Sequence, residues 1–289
     1  MGKSYREELG GVCGCPIDEN PTVVVAEAAF KDLGIPYRYL TILVKPEDLE
    51  NAMKALPALN MKGIHLTIPH KVEVLKYLDH VAEDAAIMGA VNTVWVKDGE
   101  LYGENTDGKG FIKSLQDENV EMKGKKVMML GAGGAGRAIA VELANAGAET
   151  ILIANRPGSG RGEELVKLVN EKTSANAEYI CWDHTLDVPE DVDILVNVTN
   201  IGLYPDVDQE PDINYSTVKP EMVVCDVIPN HPHTMFLKEA EKNGAKTIDG
   251  LGMLVNQAVI SFKFWSGCDC NAKVMKEALA KEYGVELED

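Results

Sequence analysis

Long apolar runs are missing from this chain of 289 residues: no stretch approaches the roughly 18 consecutive apolar residues of a membrane span. The start, Met1-Gly2-Lys3-Ser4-Tyr5-Arg6-Glu7-Glu8, also lacks the apolar core of a secretory leader, so a cytoplasmic protein is expected. Positive charge is scarce, with 28 Lys and Arg against 46 Asp and Glu, a formal charge of -18 and an isoelectric point near 4.8. Such a surface repels a nucleic-acid backbone or an anionic membrane, and neither is an expected partner. A small anion can still be held where a local basic pocket outweighs the global field. The six cysteines are expected as thiols and not as a disulfide framework. Cys13-Gly14-Cys15 and Cys268-Asp269-Cys270 lack the usual zinc spacing, and no metal is expected. Internal repeats and low-complexity segments are absent.

What the sequence does contain is alternation of strand-like apolar runs with segments of helical periodicity. Val12 to Cys15, Tyr37 to Val44, Gly63 to Ile68, Val127 to Leu130, Thr150 to Ala154, Ile194 to Val198 and Met222 to Val227 read as strands. Val23 to Leu33, Pro46 to Leu56, Val72 to Leu78, Arg137 to Ala146, Glu163 to Glu171, His233 to Asn243, Leu254 to Trp265 and Ala272 to Tyr283 read as helices. The pattern predicts an α/β protein with parallel layers, long enough at 289 residues for two domains. The polar segment Gln116 to Lys126 reads as the entry to the second.

The strand ending at Leu130 runs straight into Gly131-Ala132-Gly133-Gly134-Ala135-Gly136 and then into a helical stretch. That is Gly-x-Gly-x-x-Gly in its required context. The glycines permit a tight turn, close approach of backbone to a pyrophosphate and close helix-strand packing, while the helix amino end offers free amide donors. These six residues are the expected dinucleotide site, with Thr199 and Gly250 as further contacts. Where an NAD site commonly carries an acid after its second strand, this chain has Asn155-Arg156, with Arg161 a short loop later. Guanidinium groups without a carboxylate suit a 2′-phosphate, so NADP is the expected cofactor and NAD the alternative. Two solvated loop arginines are the bland reading of the same residues.

Four further motifs require a common explanation: Thr67-Ile68-Pro69-His70-Lys71, Gly89-Ala90-Val91-Asn92-Thr93, Asn105-Thr106-Asp107-Gly108, and the run from Asp249 through Gly250-Leu251-Gly252-Met253-Leu254-Val255 to Gln257. In this order they resemble the shikimate and quinate dehydrogenase family over almost the whole chain. The resemblance implies a Rossmann-type doubly wound nucleotide domain at 109–249 inserted into an α/β substrate-binding catalytic domain at 1–108 and 250–289, with the active site in the cleft. It implies Lys71 and Asp107 as the catalytic pair, Asn92 and Gln257 on the ring hydroxyls, and Thr67 close by. Hydride transfer to a carbonyl needs a matching proton for the oxygen, which a positioned lysine can deliver. A helix starting after Pro69 disfavours a positive side chain at its amino end, which eases release of that proton. Without the other motifs, Lys71 reads as a surface lysine and Asp107 as a turn or cap residue.

The resemblance breaks at one place. The family usually has an Asn-Pro-Ile-x-His-Ser-x-Ser-Pro type of loop whose serines hold the substrate carboxylate, whereas this chain has Cys15-Pro16-Ile17-Asp18-Glu19-Asn20-Pro21-Thr22. A substrate carboxylate in contact with Asp18 or Glu19 is repelled by roughly 1 to 4 kcal/mol; Thr22 or Asn20 can stand in for a serine. The family's asparagine two residues before the motif threonine is His65 here, and its carboxylate-holding tyrosine is Pro229. His65 can be a cation for the carboxylate, a partner for the ring, or a satisfied strand histidine. His231 and His233 read as solvated loop residues. The expected function is reversible NADP-dependent reduction of 3-dehydroshikimate or its quinate equivalent by a monomer or homodimer. The alternatives are the same hydride chemistry on a cyclic polyol or ketone lacking that carboxylate, or a non-catalytic nucleotide-binding regulator.

Overall fold

The structure, a computed structural model, describes residues 5–230 and 232–287, so His231 lies outside the described residues. The chain divides into two compact units, Met1–Thr106 with Val255–Asp289, and Asp107–Leu254. In chain order the elements of the first are β1 (Glu8–Gly14), α1 (Thr22–Leu33), β2 (Tyr37–Leu43), α2 (Leu49–Ala58), β3 (Met61–Leu66), α3 (His70–Glu73), β4 (His80–Val81), α4 (Glu83–Met88), β5 (Thr93–Lys97) and β6 (Glu100–Glu104). There follow α5 (Asp107–Asp117), β7 (Lys126–Leu130), α6 (Gly134–Asn145), β8 (Thr150–Asn155), α7 (Arg161–Lys172), β9 (Asn176–Cys181), β10 (Leu186–Asp187), β11 (Ile194–Asn197), β12 (Ile213–Asn214), β13 (Val223–Asp226), α8 (Met235–Lys242) and β14 (Lys246–Ile248). The chain ends with α9 (Gly250–Ser266) and α10 (Ala272–Glu282). Among the described residues, no helix is long and apolar enough to cross a membrane.

The first unit carries a six-stranded sheet in the order β2-β1-β3-β5-β6-β4. β1 pairs in parallel with β2 and β3, and β4 with β6, while β5 runs antiparallel to both its neighbours. Because side chains alternate across a strand, Ile64 and Leu66 of β3 join Met53, Leu56 and Val74 in one core, leaving Gly63 and His65 on the other face. A Cβ on Gly63 would lie 2.3 Å from the Trp265 indole nitrogen, so α9 lies directly on this strand and only glycine admits it. The indole N–H donates to Thr93 Oγ1 at 3.2 Å, which leaves the buried Trp265 nitrogen satisfied.

The second unit carries a parallel sheet in the order β14-β13-β11-β7-β8-β9. Numbered within the sheet and read from the other edge, this is 3-2-1-4-5-6, the order of the dinucleotide-binding fold. Its strands are near-continuous apolar runs because helices cover both faces. Val127, Met129, Ile151, Ile153, Ile194 and Val196 pack with Ile139 and Leu143 of α6; Met128, Leu130, Leu152, Leu195 and Val224 pack with Phe236 and Leu237 of α8.

One expected helix differs in kind from what its periodicity predicts. The segment expected over Val72 to Leu78 starts two residues earlier, as the four-residue α3, and passes directly into a 3₁₀ turn over Val74–Tyr77. Leu78 turns extended, so that Asp79 can accept from Leu101 N–H through its carboxylate and donate its own N–H to the Leu101 carbonyl.

Candidate active site

Strand direction gathers the polar residues of the first unit at one end of its sheet. Thr67 and Lys71 follow the carboxyl end of β3, Asn92 precedes the antiparallel β5, and Thr106 follows β6. Backbone bonds lock these segments together: Leu66 donates to Asn92 O at 2.7 Å, Val91 to Lys71 O at 2.8 Å, and Asn92 to Glu104 O at 3.1 Å. Thr67 N–H donates to Cys13 O and Cys15 N–H to Ile68 O, both at 3.0 Å, which sets the loop after β1 beside the Lys71 motif. A Cβ on Gly14 would lie 2.4 Å from Thr67 Cγ2, so the two segments touch.

Asn92, Thr106, Gln257 and Ser261 form a buried polar cluster. Thr106 N–H donates to Asn92 Oδ1 at 2.7 Å, and Asn92 Nδ2 donates to Thr106 Oγ1 at 3.1 Å and to Gln257 Oε1 at 3.4 Å. Ser261 Oγ donates to the Gln257 carbonyl at 2.8 Å, which leaves it the acceptor in its 3.0 Å contact with Thr106 Oγ1. The cluster is thus directional: Asn92 amide to Thr106 hydroxyl to Ser261 hydroxyl to backbone. It brings together the expected residues Asn92 and Gln257. Ser261, one turn beyond Gln257 on α9, is an addition to the sequence reading.

The altered loop is organised around Ile17 and Thr22. Both are buried, whereas Asp18 and Glu19 are exposed. Asn20 Oδ1 accepts from Thr22 N–H at 3.0 Å, an Asx turn that launches α1. His65 is 4 % exposed, its Nδ1 2.8 Å from the Tyr39 hydroxyl, with Phe262 and Trp265 ring centroids 5.6 and 4.6 Å away. The surroundings of this imidazole are aromatic. Burial drives the Tyr39 hydroxyl well above its ordinary pKa, which keeps it a neutral partner.

In the second unit, β7 passes into Gly131 at φ 108°, a conformation that favours glycine. A Cβ there would lie 2.8 Å from Thr199 Cγ2, placing Thr199 against the glycine turn at the point where the strand order reverses, between β7 and β11. Gly136 packs closely in turn, since its Cβ would lie 3.1 Å from Val198 Cγ2. Gly133 and Gly134 face open space. Thr199 is held by Asn197, whose Oδ1 accepts from its N–H at 3.1 Å and its hydroxyl at 2.6 Å. Asn197 Nδ2 donates to Asp226, which also accepts from Thr234 Oγ1 at 2.8 Å and Ile228 N–H at 3.1 Å. Burial raises the Asp226 carboxyl to about 6 against these stabilising donors.

Ala132, Gly133, Gly134, Arg137, Arg161, Glu164 and Leu165 line a cavity of about 300 Å³ between the amino ends of α6 and α7. Arg156 is exposed on the loop that joins β8 to α7, where Asn155 Nδ2 donates to Ser159 Oγ at 2.9 Å. Gly250 has a different setting: a Cβ on it would lie 2.5 Å from the Ile228 carbonyl, so its backbone packs on the segment after β13. Pro229 belongs to that segment, and His233 is exposed beyond it. Among the described residues no group of His, Cys, Asp and Glu is arranged to hold a metal ion.

Comparison with known proteins places this geometry in a family. Residues 12–94 match the model of the shikimate dehydrogenase substrate binding domain, residues 114–204 that of shikimate / quinate 5-dehydrogenase, and residues 250–280 that of the shikimate 5′-dehydrogenase C-terminal domain. The shikimate dehydrogenase (NADP(+)) of Methanocaldococcus jannaschii is 41% identical over 277 residues, which is 95% of this chain and 96% of that protein. A shikimate dehydrogenase solved in complex with NADP+ is 40% identical, with a TM-score of 0.89 and 97% of each chain covered. The ligand-free 5-ketofructose reductase of Gluconobacter sp. strain CHM43 is 44% identical, with a TM-score of 0.93 over 96% of this chain and all 100% of that one.

Proposed function

The chain belongs to the shikimate dehydrogenase family, and from that premise we propose that it is an NADP-dependent oxidoreductase that reversibly reduces 3-dehydroshikimate to shikimate. The observation that carries the reading is the buried Asn92–Thr106–Gln257–Ser261 cluster. Four polar side chains are held by one another there, so the amides of Asn92 and Gln257 are oriented before substrate arrives and can meet ring hydroxyls without reorganising.

The residues present fit the cofactor. Gly133 and Gly134, open at the amino end of α6, can present backbone N–H groups to a pyrophosphate, and Arg156 and Arg161 offer charge-assisted bonds to a 2′-phosphate. When bound, the nicotinamide supplies or accepts the hydride. Lys71 is assigned the proton that must reach the carbonyl oxygen as the hydride reaches its carbon, and in the oxidative direction it takes that proton back; Asp107 is assigned to the same transfer. Thr67, beside Gly14, bounds the substrate position, and Thr22 is the buried hydroxyl of the loop that lacks the family's serines.

A second reading keeps the machinery and changes the substrate to a neutral polyhydroxy ketone. It is favoured by the loop in which the family's two serines are gone and Asp18 and Glu19 stand nearby, by Pro229, and by the 44% identity to a 5-ketofructose reductase. One assay separates the two: oxidation of NADPH by the purified protein with 3-dehydroshikimate and with 5-ketofructose, using Lys71→Ala as the control. Turnover of 3-dehydroshikimate that drops by about 10²-fold or more in Lys71→Ala supports the first reading. Turnover of 5-ketofructose alone replaces it with the second, and turnover surviving in Lys71→Ala removes Lys71 from the chemistry of either.

A further inference from the structure

Five arginines occur in this chain, and their distribution is uneven. Arg6 pairs with Glu8 and Arg38 with Glu7. Among the described residues, Arg137, Arg156 and Arg161 pair with no carboxylate, in a protein with 46 acidic residues. Arg137 lies in the first turn of α6 and Arg161 is the first residue of α7, and each helix is 12 residues long. These are the helix ends where the macrodipole already disfavours a cation. Two guanidinium groups thus line one cavity, both at the electrostatically wrong end of a helix and neither neutralised. The Arg137 Nε is buried without a hydrogen-bond partner. Glu164 lines the same cavity but pairs with neither.

Such an arrangement is unfavourable for the empty protein and becomes favourable only when an anion enters. We propose that Arg137 is a third phosphate-binding guanidinium that, together with Arg161, clamps the 2′-phosphate of NADP and so sets the choice of cofactor. The assignment rests on the dinucleotide-binding reading and deepens it. The pyrophosphate has its own donors in the amides beside Gly133 and Gly134. The cavity leads from those glycines toward α7, the helix that follows β8, which is the side on which this fold holds the adenosine ribose. Arg137 faces the same cavity as Arg161, and a monoester dianion between them gains charge-assisted bonds from both.

The probe that isolates this contact is adenosine 2′,5′-bisphosphate, which carries the 2′-phosphate and lacks the pyrophosphate. Binding of this compound, NADPH and NADH to the full chain is measured by calorimetry for the wild type, Arg137→Ala and Arg161→Ala. Arg137→Ala is expected to weaken adenosine 2′,5′-bisphosphate and NADPH by about 10- to 100-fold while moving NADH by less than about twofold. Equal losses for NADPH and NADH overturn the proposal, because they place Arg137 on the pyrophosphate or on the scaffold. No loss for any ligand, with Arg161→Ala still defective, also overturns it but leaves NADP binding intact. Wild-type protein that binds neither NADPH nor the bisphosphate removes the cofactor reading itself.

Discussion

Thr106 N–H donates to Asn92 Oδ1 at 2.7 Å while Asn92 Nδ2 donates back to Thr106 Oγ1 at 3.1 Å, a reciprocal pair buried at the end of β6. Asn92→Ala leaves the Thr106 N–H without its acceptor, and a buried donor so orphaned costs about 1 to 3 kcal/mol. The expected outcome is a lower melting temperature together with a raised KM for the ketone substrate, since Gln257 loses a neighbour that orients it. Asn92→Asp retains the acceptor but adds charge in a buried place, and is expected to be worse than alanine at neutral pH. Thermal unfolding and steady-state kinetics on the two variants check both statements.

Gly63→Ala tests the seat of α9. With a Cβ predicted 2.3 Å from the Trp265 indole nitrogen, the ring must move and surrender its bond to Thr93 Oγ1. Overpacking of this kind costs about 1 to 3 kcal/mol. Denaturant unfolding followed by tryptophan fluorescence reads the loss directly; an unchanged midpoint is the contrary result.

His65→Asn restores the residue expected from the family resemblance. Within the rings of Tyr39, Phe262 and Trp265, the smaller side chain leaves a void and loses ring packing. A loss of stability of about 2 kcal/mol is expected, with the KM ratio between charged and neutral ketones unchanged. A shift in that ratio at unaltered stability assigns His65 to the substrate instead.

The Asp226 carboxyl gives a pH prediction with a definite sign. Its value of about 6 in the folded chain lies above the ordinary 3.8, so the native state holds its proton more tightly than the unfolded state. The contribution is fully present below about 4 and is lost as pH rises from there through about 6. The gap caps the effect at about 3 kcal/mol. In Asp226→Asn, the stability difference from wild type is expected to shift in the variant's favour between pH 4 and 6.5 and to level off above; a flat difference contradicts it. Equilibrium unfolding at a series of pH values provides the curve.

Much of the nucleotide unit was legible because its signals are local. A buried parallel strand is a short apolar run, the glycine turn is contiguous, and Arg156 and Arg161 stand where an acid is expected. Arg137 escaped because inside a helical segment it reads as part of the helix, and its meaning comes from a cavity it shares with a helix 24 residues on. The β5–β6 hairpin was missed although Asp98-Gly99, with φ of 54° and 85°, is the turn signal that should have revealed it. The helical segment after Pro69 is legible to within a residue or two, but its change from α-helix to 3₁₀ turn at Val74 leaves no mark on the apolar spacing. Ser261 joins Thr106 across 155 residues, a relation no local pattern encodes.

The connectivity of the chain also sets an order of assembly. Residues 107–254 are contiguous and can fold as soon as they are made, whereas the first unit is split on either side of them. Until Phe262 and Trp265 emerge, the face of β1 and β3 that holds Gly10, Gly63 and His65 lacks the rings that pack on it. A growing polypeptide therefore carries an unfinished amino-terminal sheet through synthesis of the entire nucleotide unit. Helices α9 and α10, which follow that unit in the chain, are what close it.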